Sequence, residues 1–565
     1  MKNRASLEGD MIKRGISRTV AFATLVLVGT LPLVLGGQTL DPARIGKPPA
    51  DEWPTHYGDY SGRRYSPLTQ ITSANVKNLA LSWVYRASAQ EVANSGGEYR
   101  TGDPYYWGGP SSTVTIKATP LLVDGVLYLA APDHAYAVDA RTGKEIWHYF
   151  WRTRGGIHIG NRGVGMRGNA VFFETPDCYL VSLDATTGKE RWHKEIADVR
   201  QQYFCTPAPI VIRNHVIVGI GGDSLDVQGF LESRDPDTGD VQWRWYTTPQ
   251  KMGDPGSETW PNEYSMTHGG GMTWVAPTYD PELNLLYVPT GNPNPVFAPH
   301  SRPGDNLFTC SLVALNADTG KMVWYFQTSP HDTHDWDSAQ VPVLIDGQID
   351  GKPRKLIAQA ARNGYYFLLD RTNGQHMRTV PYVDFMNWSL GVNGKGQPIN
   401  NPAKDATIDG VLISPGSATN WPPPTFSPKT GLLYVGTSQS YGLQYLTDTD
   451  ERPEGYGGGS VGVGGTGGRE GFIKAIDYRT GKVRWRHPLT EGGAMGLLST
   501  AGDILFGGDG SGNFVAYDPA NGDPLWHVGL GTSPSNGPMT FMLDGRQYVV
   551  VGAGDSLYAF ALPAK

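Results

Sequence analysis

Short apolar segments with an alternating pattern recur along the chain, and each one ends at the same kind of turn. AYAV precedes Asp139, YLVSL precedes Asp184 and FVAY precedes Asp518. Alternation of apolar and polar positions over a short run predicts a half-buried β-strand. Segments of this kind that return throughout a sequence indicate a repeat architecture made of small sheets.

The turn after each of these strands follows the pattern Asp-x-x-x-Gly-x-x-x-Trp. Its clear copies are Asp139/Gly143/Trp147, Asp184/Gly188/Trp192, Asp235/Gly239/Trp243, Asn316/Gly320/Trp324, Asp477/Gly481/Trp485 and Asp518/Gly522/Trp526, with a degenerate copy at Asp370/Gly374/Arg378. Asp or Asn opens a turn by bonding to its own backbone, Gly allows a positive φ angle, and the next strand carries the Trp. Each copy is therefore predicted to be a hairpin whose indole packs against the neighbouring unit.

The number of copies predicts the architecture. Trp83 ends an earlier segment, ANVKNLALSW, which resembles a copy with a degenerate turn and brings the units to eight. The predicted fold class is all-β: one eight-bladed β-propeller with tryptophan-docking repeats over residues 51–565. The last strand, residues 557–562, has no turn after it, so closing the ring requires a partner strand from the N-terminal part of the chain.

The first residues differ from the rest. Lys13, Arg14 and Arg18 precede an apolar run over residues 20–35, and small polar residues follow. This pattern predicts a secretory signal peptide over residues 1–37 and export to the periplasm. The alternative is an uncleaved membrane anchor, because the apolar run is long and no clean A-x-A cleavage site follows it. No later stretch is apolar for the roughly 18 residues that a membrane span needs, so we expect no transmembrane domain in the mature chain.

Composition narrows the possible functions. The chain has 73 Gly, 42 Pro and 16 Trp among 565 residues, which suits a turn-rich β-protein, and its net charge of −7 argues against nucleic-acid binding. Three cysteines, Cys178, Cys205 and Cys310, are too few for a disulfide framework and leave one thiol over. There is no C-x-x-C-H motif, so the chain carries no c-type haem of its own.

The candidate chemistry lies in the middle of the chain. Trp274 stands outside the repeat register, after three glycines that allow the backbone to approach a ligand closely, and its indole is suited to stacking on a flat cofactor. Asn292 lies in a Gly-Asn-Pro turn at a strand end, where its amide oxygen suits a hard cation such as calcium. Arg362 precedes an Asn-Gly turn and is suited to binding an anionic oxygen.

Asp337 belongs to a dense polar group with His331, Asp332, His334 and Asp335. The residues alone leave two interpretations of this group open, a solvated or self-capping loop and a functional site. Residues 88–115, 384–424 and 455–468 form long excursions between repeats, of which the first is placed to cover one mouth of the ring.

These motifs resemble those of the pyrroloquinoline quinone (PQQ)-dependent alcohol dehydrogenases, the eight-bladed quinoproteins related to methanol and ethanol dehydrogenases. The resemblance extends from about Trp53 to the C-terminus. It implies that Trp274, after GGG, stacks under PQQ, and that Asn292, in the Gly-Asn-Pro turn, ligates calcium. It also implies that Asp337, in the Trp-Asp pair, is the catalytic base next to the metal.

The same resemblance implies further cofactor contacts. Arg362 in Arg-Asn-Gly, Arg162 in Asn-Arg-Gly and Thr206 in Thr-x-Ala-Pro occupy positions that bind PQQ in the family. The substrate class implied is a small alcohol or aldehyde. Because the chain has no haem, the electrons must pass to a separate acceptor, and the family implies a periplasmic cytochrome c.

The chain also departs from the family pattern. Ser224 stands where the family has a calcium-ligating Glu, and Asp226, which would share its face in a strand, is the candidate replacement. Gly156 and Ile157 replace a vicinal cysteine pair. Lys117 replaces an acidic PQQ contact, and Met272 replaces a Thr before the stacking Trp. Ala339 stands where lanthanide-using relatives carry a second Asp, which favours calcium.

Two functions remain open on the sequence. The first is an active PQQ-dependent dehydrogenase with Asn292, Asp337 and Asp226 as metal ligands. The second is a degenerate propeller that serves as a binding or assembly scaffold, like the repeat-sharing scaffold of outer-membrane protein assembly. Retention of Trp274 and Asp337 favours the enzyme, whereas loss of the Glu ligand favours the scaffold.

Overall fold

The computed structural model describes residues 39–99, 114–156, 159–222, 226–446, 460–464, 470–490 and 495–563. The signal-peptide prediction and the departures at Ser224 and Ile157 lie outside these residues. Parts of the predicted excursions at 88–115 and 455–468 also lie outside them.

The repeat folds into eight antiparallel sheets of four strands, which we number as blades 1 to 8. Blades 1 to 4 are Leu121–Val123, Val126–Ala131, His134–Asp139, Glu145–Arg152; Gly165–Arg167, Ala170–Glu174, Tyr179–Asp184, Glu190–Glu195; Ile210–Ile212, His215–Val218, Phe230–Arg234, Val241–Tyr246; and Thr278–Asp280, Leu285–Pro289, Ser311–Asn316, Met322–Gln327. Blades 5 to 8 are Val343–Ile349, Lys352–Ala360, Tyr365–Asp370, His376–Pro381; Thr425–Ser427, Leu432–Gln439, Glu470–Asp477, Val483–Leu489; Leu498–Thr500, Ile504–Gly508, Asn513–Tyr517, Pro524–Gly529; and Met539–Leu543, Arg546–Ala553, Ser556–Ala561, Ala80–Arg86. The predicted eight-bladed propeller is confirmed.

Blade 8 closes the ring by joining the two ends of the propeller. Ser556–Ala561 pairs on one side with Arg546–Ala553 and on the other with Ala80–Arg86, which carries Trp83. The prediction that the last strand needs an N-terminal partner is therefore confirmed. Two strands far apart in sequence are thus held in one continuous hydrogen-bonded sheet, which closes the ring.

The repeated tryptophans dock each blade onto the next one. The indole N–H donates to a backbone carbonyl in the next turn at Trp83 to Ala140 (3.0 Å), Trp147 to Ala185 (2.8 Å), Trp243 to Ala317 (3.0 Å), Trp324 to Arg371 (3.1 Å) and Trp485 to Pro519 (3.1 Å). The turn glycine lies under the ring: at Gly143, with φ +70°, an added Cβ would be 2.7 Å from the indole of Trp83. The glycine thus serves both the turn and the close approach.

The degenerate copy uses other side chains for the same contact. Arg378 stands where a Trp is expected, and the next turn glycine, Gly481, lies instead against Val380 and Tyr366. The interface between blades 5 and 6 is therefore packed without an indole.

The cores lie between blades. In blade 2, Val171 and Phe173 pack in the cluster shared with blade 1, whereas Phe172 packs in the cluster shared with blade 3. This division follows from the alternation of side chains along a strand.

Several elements lie outside the blade pattern. Tyr65–Ser66 and Ser95–Gly97 add parallel strands to blades 7 and 1. The helical elements are Pro42–Arg44, Val76–Asn78, Val199–Gln201, Ser257–Thr259, Glu263–Thr267, Pro299–Ser301 and Pro402–Lys404. Between blades 5 and 6 the chain forms the hairpin Ser389–Val392/Pro398–Asn400 and the strand Val411–Ile413. That strand pairs with Gly442–Leu446, which pairs in turn with Ser460–Gly464, and both of these strands lie between the second and third strands of blade 6. Over the described ranges, no helix combines the length and apolarity needed to cross a bilayer.

The cysteines differ from the expectation in one respect. Cys178 and Cys205 form a disulfide with Cα atoms 4.9 Å apart, and Cys310 is a buried free thiol. The leftover thiol is confirmed, but the sequence did not predict the bridge, because the two partners lie on different blades.

Candidate active site

The blade topology brings the predicted residues to one mouth of the ring. Arg162, Thr206, Trp274 and Asp337 precede the first strands of blades 2, 3, 4 and 5. Asn292 and Arg362 follow the second strands of blades 4 and 5. In an antiparallel blade the start of the first strand and the end of the second lie at the same edge. All six residues therefore lie on the same face of the propeller.

Three of these residues form one contact group. The backbone N–H of Arg162 donates to the carbonyl of Thr206 at 3.0 Å, and its guanidinium donates to the Thr206 hydroxyl. The guanidinium carbon of Arg162 lies 4.7 Å from the ring centre of Trp274, a cation–π distance. Trp274 is buried among apolar residues of blades 2 and 3. The structure thus brings Arg162 and Thr206 to the indole predicted to stack on a cofactor.

The other three residues meet around a buried carboxylate. Oδ1 of Asp337 accepts from the backbone N–H of Asn292 at 2.8 Å, and Oδ2 accepts from the guanidinium of Arg362 at 3.2 Å. Arg362 also donates to Asp335 at 2.9 Å. Asp337 is 2% exposed. A carboxylate held by one amide and one guanidinium is fixed in position and still has lone pairs for a substrate proton.

Burial governs the charge of this carboxylate. Burial and the neighbouring Asp335 carboxylate raise the pKa of Asp337, while Arg362 and the Asn292 N–H lower it, and the net pKa is about 7. Burial lowers the pKa of Arg362, but Asp335 and Asp337 raise it by more, so the guanidinium stays charged. A carboxylate whose pKa lies near neutrality is suited to general-base catalysis.

Asp332 orders the loop that carries the base. Its oxygens accept from the backbone N–H groups of His334 at 3.0 Å and Trp336 at 2.8 Å, and the thiol of Cys310 donates to it at 3.4 Å. The loop is therefore self-capped, as one interpretation of the sequence proposed. It is not solvated, because Asp332, His334 and Asp337 are buried.

The insertion between blades 5 and 6 and the strand Gly442–Leu446 of blade 6 support the same loop from outside. Gln444 is bonded to His334 Nδ1 at 2.8 Å, and Asp405 accepts from Thr333 at 2.7 Å. Trp388 packs against Trp336 with ring centres 5.2 Å apart. The excursion at 384–424 is thus part of the wall behind Asp337.

The donor set suits a hard cation in part. Asn292 Oδ1 is buried and accepts no hydrogen bond from the residues placed in the structure, an arrangement that costs about 1–3 kcal/mol unless another group satisfies it. Asp226 is buried. The carbonyl of the next residue, Val227, accepts from the N–H of Gly270, and the N–H of Gly271 donates to the carbonyl of Asn292, so one glycine segment contacts the chain next to Asp226 and the Asn292 turn. Across the described part of the chain, no group of three or more His, Cys, Asp or Glu side chains is arranged to hold a metal.

The mouth also suits a planar anion. Lys117 approaches Arg162 by donating to the carbonyl of Ile159; burial lowers the pKa of Lys117, and Arg162 lowers it further. Gly160 allows this approach, since an added Cβ would be 2.7 Å from the Lys117 side chain. Lys117, which stands where the family has an acidic residue, therefore adds positive charge beside Arg162, and this charge favours a ligand that carries carboxylates.

The other departures have structural roles as well. Met272 is buried, and its carbonyl accepts from Gly291 at 2.8 Å, which ties the Trp274 segment to the Asn292 turn. Gly156 packs against the carbonyl of Pro176. Ala339 is buried in the same cluster as Trp274 and supplies no carboxylate.

Reasoning from the sequence missed two residues of the site. Trp421 lies 5.3 Å from the Arg162 guanidinium carbon, on the insertion. Gln340 is buried, and its Oε1 accepts from the Arg362 N–H at 3.0 Å. Gln340 follows Asp337 by only three residues and was open to inference from that spacing. Trp421 gave no such signal, because only the folded insertion brings it near Arg162.

Comparisons with known proteins identify the family of the chain. A family model described as the glucose/ethanol/alcohol dehydrogenase beta-propeller domain matches residues 53–384. Quinoprotein alcohol dehydrogenase PedH of Pseudomonas putida is 34% identical over 527 residues, covering 87% of this chain and 84% of that protein. Quinohemoprotein alcohol dehydrogenase of Comamonas testosteroni is 35% identical over 542 residues, covering 89% and 72%.

Solved structures show the same relationship. The crystal structure of the Comamonas testosteroni quinohemoprotein alcohol dehydrogenase aligns with a TM-score of 0.82 and 32% identity over 93% of this chain and 83% of that one. A europium-containing methanol dehydrogenase aligns with a TM-score of 0.78 and 27% identity over 92% and 99%.

One match concerns the scaffold alternative. Residues 469–562 match the family model of the outer membrane protein assembly factor BamB. That range covers only the last blades, whereas the dehydrogenases match most of the chain. The enzyme is therefore favoured over the scaffold. The chain belongs to the quinoprotein alcohol dehydrogenases, the family of oxidoreductases that depend on PQQ.

Proposed function

We propose that this protein is a periplasmic dehydrogenase that oxidises a small alcohol or aldehyde and passes the electrons to a separate acceptor such as a cytochrome c. The observation that carries the proposal is the buried Asp337 carboxylate, held between the Asn292 N–H and the Arg362 guanidinium on the same face as Trp274. Trp274, Arg162 and Thr206 would hold PQQ, which would supply the two-electron acceptor for oxidation of the substrate carbon.

Asp337 is assigned the role of general base. Its free lone pairs accept the proton of the substrate hydroxyl, and burial keeps its pKa close to neutrality. Arg362 holds the carboxylate in one orientation and stays charged throughout, so it stabilises the ionised form that begins each turnover. Asn292 donates its backbone N–H to Oδ1 of Asp337, whereas Arg362 donates to Oδ2.

The remaining residues are assigned to the cofactor and the cation. Trp274 provides a stacking face, and Arg162, whose guanidinium lies over the indole ring, and Thr206 are assigned to bind polar groups of the cofactor. Asn292 Oδ1, Asp337 and Asp226 are the ligands for Ca²⁺, a cation that prefers carboxylate and amide oxygens. Ala339 adds no further carboxylate, which supports calcium over a more highly charged ion.

Export is proposed from the N-terminal pattern. Residues 1–37 are assigned as a signal peptide, and residues 51–565 as the single propeller domain of the mature protein. N-terminal sequencing of periplasmic protein should find a start after about residue 36, as expected for cleavage at the end of the apolar run. Recovery of protein that still contains Lys13 would instead support the membrane anchor.

Reconstitution tests the enzymatic proposal. Purified protein is mixed with PQQ and CaCl₂, and the quinone absorbance band is followed together with oxidation of a panel of alcohols and aldehydes by an artificial dye. We expect PQQ to bind stoichiometrically and turnover to require both additions.

Ser224→Glu tests the cation assignment in the same assay. If the site lacks a carboxylate, the change should tighten calcium binding and raise activity. If Asp226 already serves as the ligand, a second carboxylate should crowd the site and lower activity. An unchanged calcium affinity would show that position 224 does not face the cation.

A further inference from the structure

The Cys178–Cys205 disulfide joins two neighbouring blades at the mouth that carries the site. Cys178 ends the turn between the second and third strands of blade 2, and Cys205 lies in the segment that leads into blade 3. Both are buried, and both belong to the cluster that contains Trp274. The crosslink therefore lies inside the wall of the pocket rather than on the outer surface of the ring.

On one side, the disulfide is attached to a turn with many contacts. Asp177 accepts from the Trp151 indole at 2.8 Å and from the Arg154 N–H at 2.9 Å. The carbonyl of Pro176 is so close to Gly156 that an added Cβ there would lie 2.1 Å from it. The turn before Cys178 is therefore fixed by blade 1 and by the segment that follows it.

On the other side, the disulfide is one residue from the contact group around Trp274. Thr206 follows Cys205, and its carbonyl and hydroxyl both accept from Arg162. Arg162 in turn lies 4.7 Å from the ring centre of Trp274. The path from the fixed turn to the guanidinium thus consists of one covalent bridge, one peptide unit and two hydrogen bonds.

We propose that the Cys178–Cys205 disulfide positions the cofactor pocket by fixing Thr206 and, through it, Arg162 over Trp274. The proposal rests on the function assigned above to Arg162, Thr206 and Trp274. The bridge takes no part in turnover and stays oxidised. Its effect is preorganisation: an arginine side chain loses rotamer entropy when it is ordered, and a side chain that is already ordered does not lose this entropy again on binding.

Amide hydrogen exchange tests the positioning directly and needs no cofactor. In Cys178→Ser/Cys205→Ser, we expect the Arg162 N–H, which donates to Thr206, to exchange about tenfold faster than in wild type. Cys310→Ala, which removes the free thiol and leaves the bridge intact, should keep the wild-type rate at Arg162. Trp485→Phe weakens the contact between blades 6 and 7 and serves as a destabilised control with the bridge intact.

Cofactor affinity is the second readout. PQQ is titrated into each protein, and its Kd is taken from quenching of tryptophan fluorescence. We expect a Kd about tenfold higher in the double-serine variant, with the same kcat at saturating PQQ, because the base is untouched. If that variant does not fold, wild type is reduced, measured and reoxidised, and both readouts should change and then return.

The outcomes separate the two proposals. Unchanged Arg162 exchange without the bridge overturns the positioning role, as does an equal acceleration in Trp485→Phe at the same loss of Tm. An unchanged Kd for PQQ overturns it as well. Wild type that binds no PQQ contradicts the proposed function, while the exchange measurement still decides whether the bridge positions Arg162.

Discussion

Single side chains determine what the mouth of this propeller can bind. Trp274 and the docking tryptophans have the same chemistry but different surroundings, since Trp274 faces Arg162 whereas Trp485 donates to a carbonyl of the next blade. Trp274→Ala should therefore weaken PQQ binding by about tenfold or more, because aromatic stacking contributes about 0.5–1.5 kcal/mol beyond the buried area. Trp485→Ala should lower Tm and leave the Kd for PQQ unchanged.

Equilibrium titration of both variants checks this prediction. Equal losses of affinity in the two proteins would show that Trp274 acts only through the stability of the ring.

The buried carboxyl group of Glu174 leads to a separate prediction about how the stability of the protein depends on pH. It is fully buried between blades 2 and 3, and burial raises its pKa well above the usual value, while the Gly219 N–H and Arg234 lower it by less. Below the pKa that Glu174 has in the unfolded chain, the folded and the unfolded protein both hold the proton on this residue. As pH rises above that value the unfolded state ionises first, so the free energy of unfolding should fall by up to about 1.4 kcal/mol per pH unit.

Glu174→Gln should remove this contribution and make the protein more stable than wild type at pH 7, with little difference near pH 4.5. Urea unfolding at several pH values measures the free energy of unfolding of both proteins. Glu195→Gln, which changes an exposed Glu, is the matched control. Parallel pH profiles for wild type and Glu174→Gln would contradict the assignment of a raised pKa.

Site residues could be predicted from the sequence where they belong to short local motifs. Trp274 follows three glycines, and Asn292 stands in a Gly-Asn-Pro turn, so both were found without the fold. The Cys178–Cys205 bridge and Trp421 were missed, because the contacts they make join segments that have no fixed spacing. Long-range contacts of this kind depend on how blades and insertions pack.

Strands and turns were more predictable than any other feature. The nine-residue turn motif encodes a hairpin and its contact to the next blade together, so counting motifs amounted to counting blades. The interface at Gly481 shows the limit of this rule, since Val380 and Tyr366 replace the expected indole there. The extra parallel strands and the insertion between blades 5 and 6 carry no repeat and gave no such signal.

The closing strand allows a test of ring integrity. Ser556–Ala561 pairs with strands on both sides, and Leu557 and Phe560 are buried. Deleting residues 556–565 would expose two strand edges and remove apolar contacts from blades 7 and 8, so we expect insoluble protein. Removal of residues 564–565 alone is the control. A soluble protein with an unchanged Tm after the longer deletion would show that the ring does not depend on this seam.

The ring as a complete unit brings together residues from blades 2 to 5 that are far apart in sequence. Arg162 and Arg362 reach the same face only because each blade repeats the same strand order around a closed circle. The propeller therefore supplies position, and the loops at one mouth supply the chemistry. This division explains why family membership follows from the blades, whereas the identity of the substrate depends on loops.

The most direct test of the account compares Asp337→Asn with wild type, both loaded with PQQ and calcium. At saturating calcium the variant should bind PQQ with nearly wild-type Kd, because Asn still offers an amide oxygen to the cation and Asp337 contacts Asn292 and Arg362 rather than the stacking face of Trp274. Its dye-linked alcohol oxidation should fall by about 100- to 10,000-fold, the usual effect of losing a general base. Asp337→Asn that binds PQQ and oxidises alcohols at the wild-type rate would contradict the account.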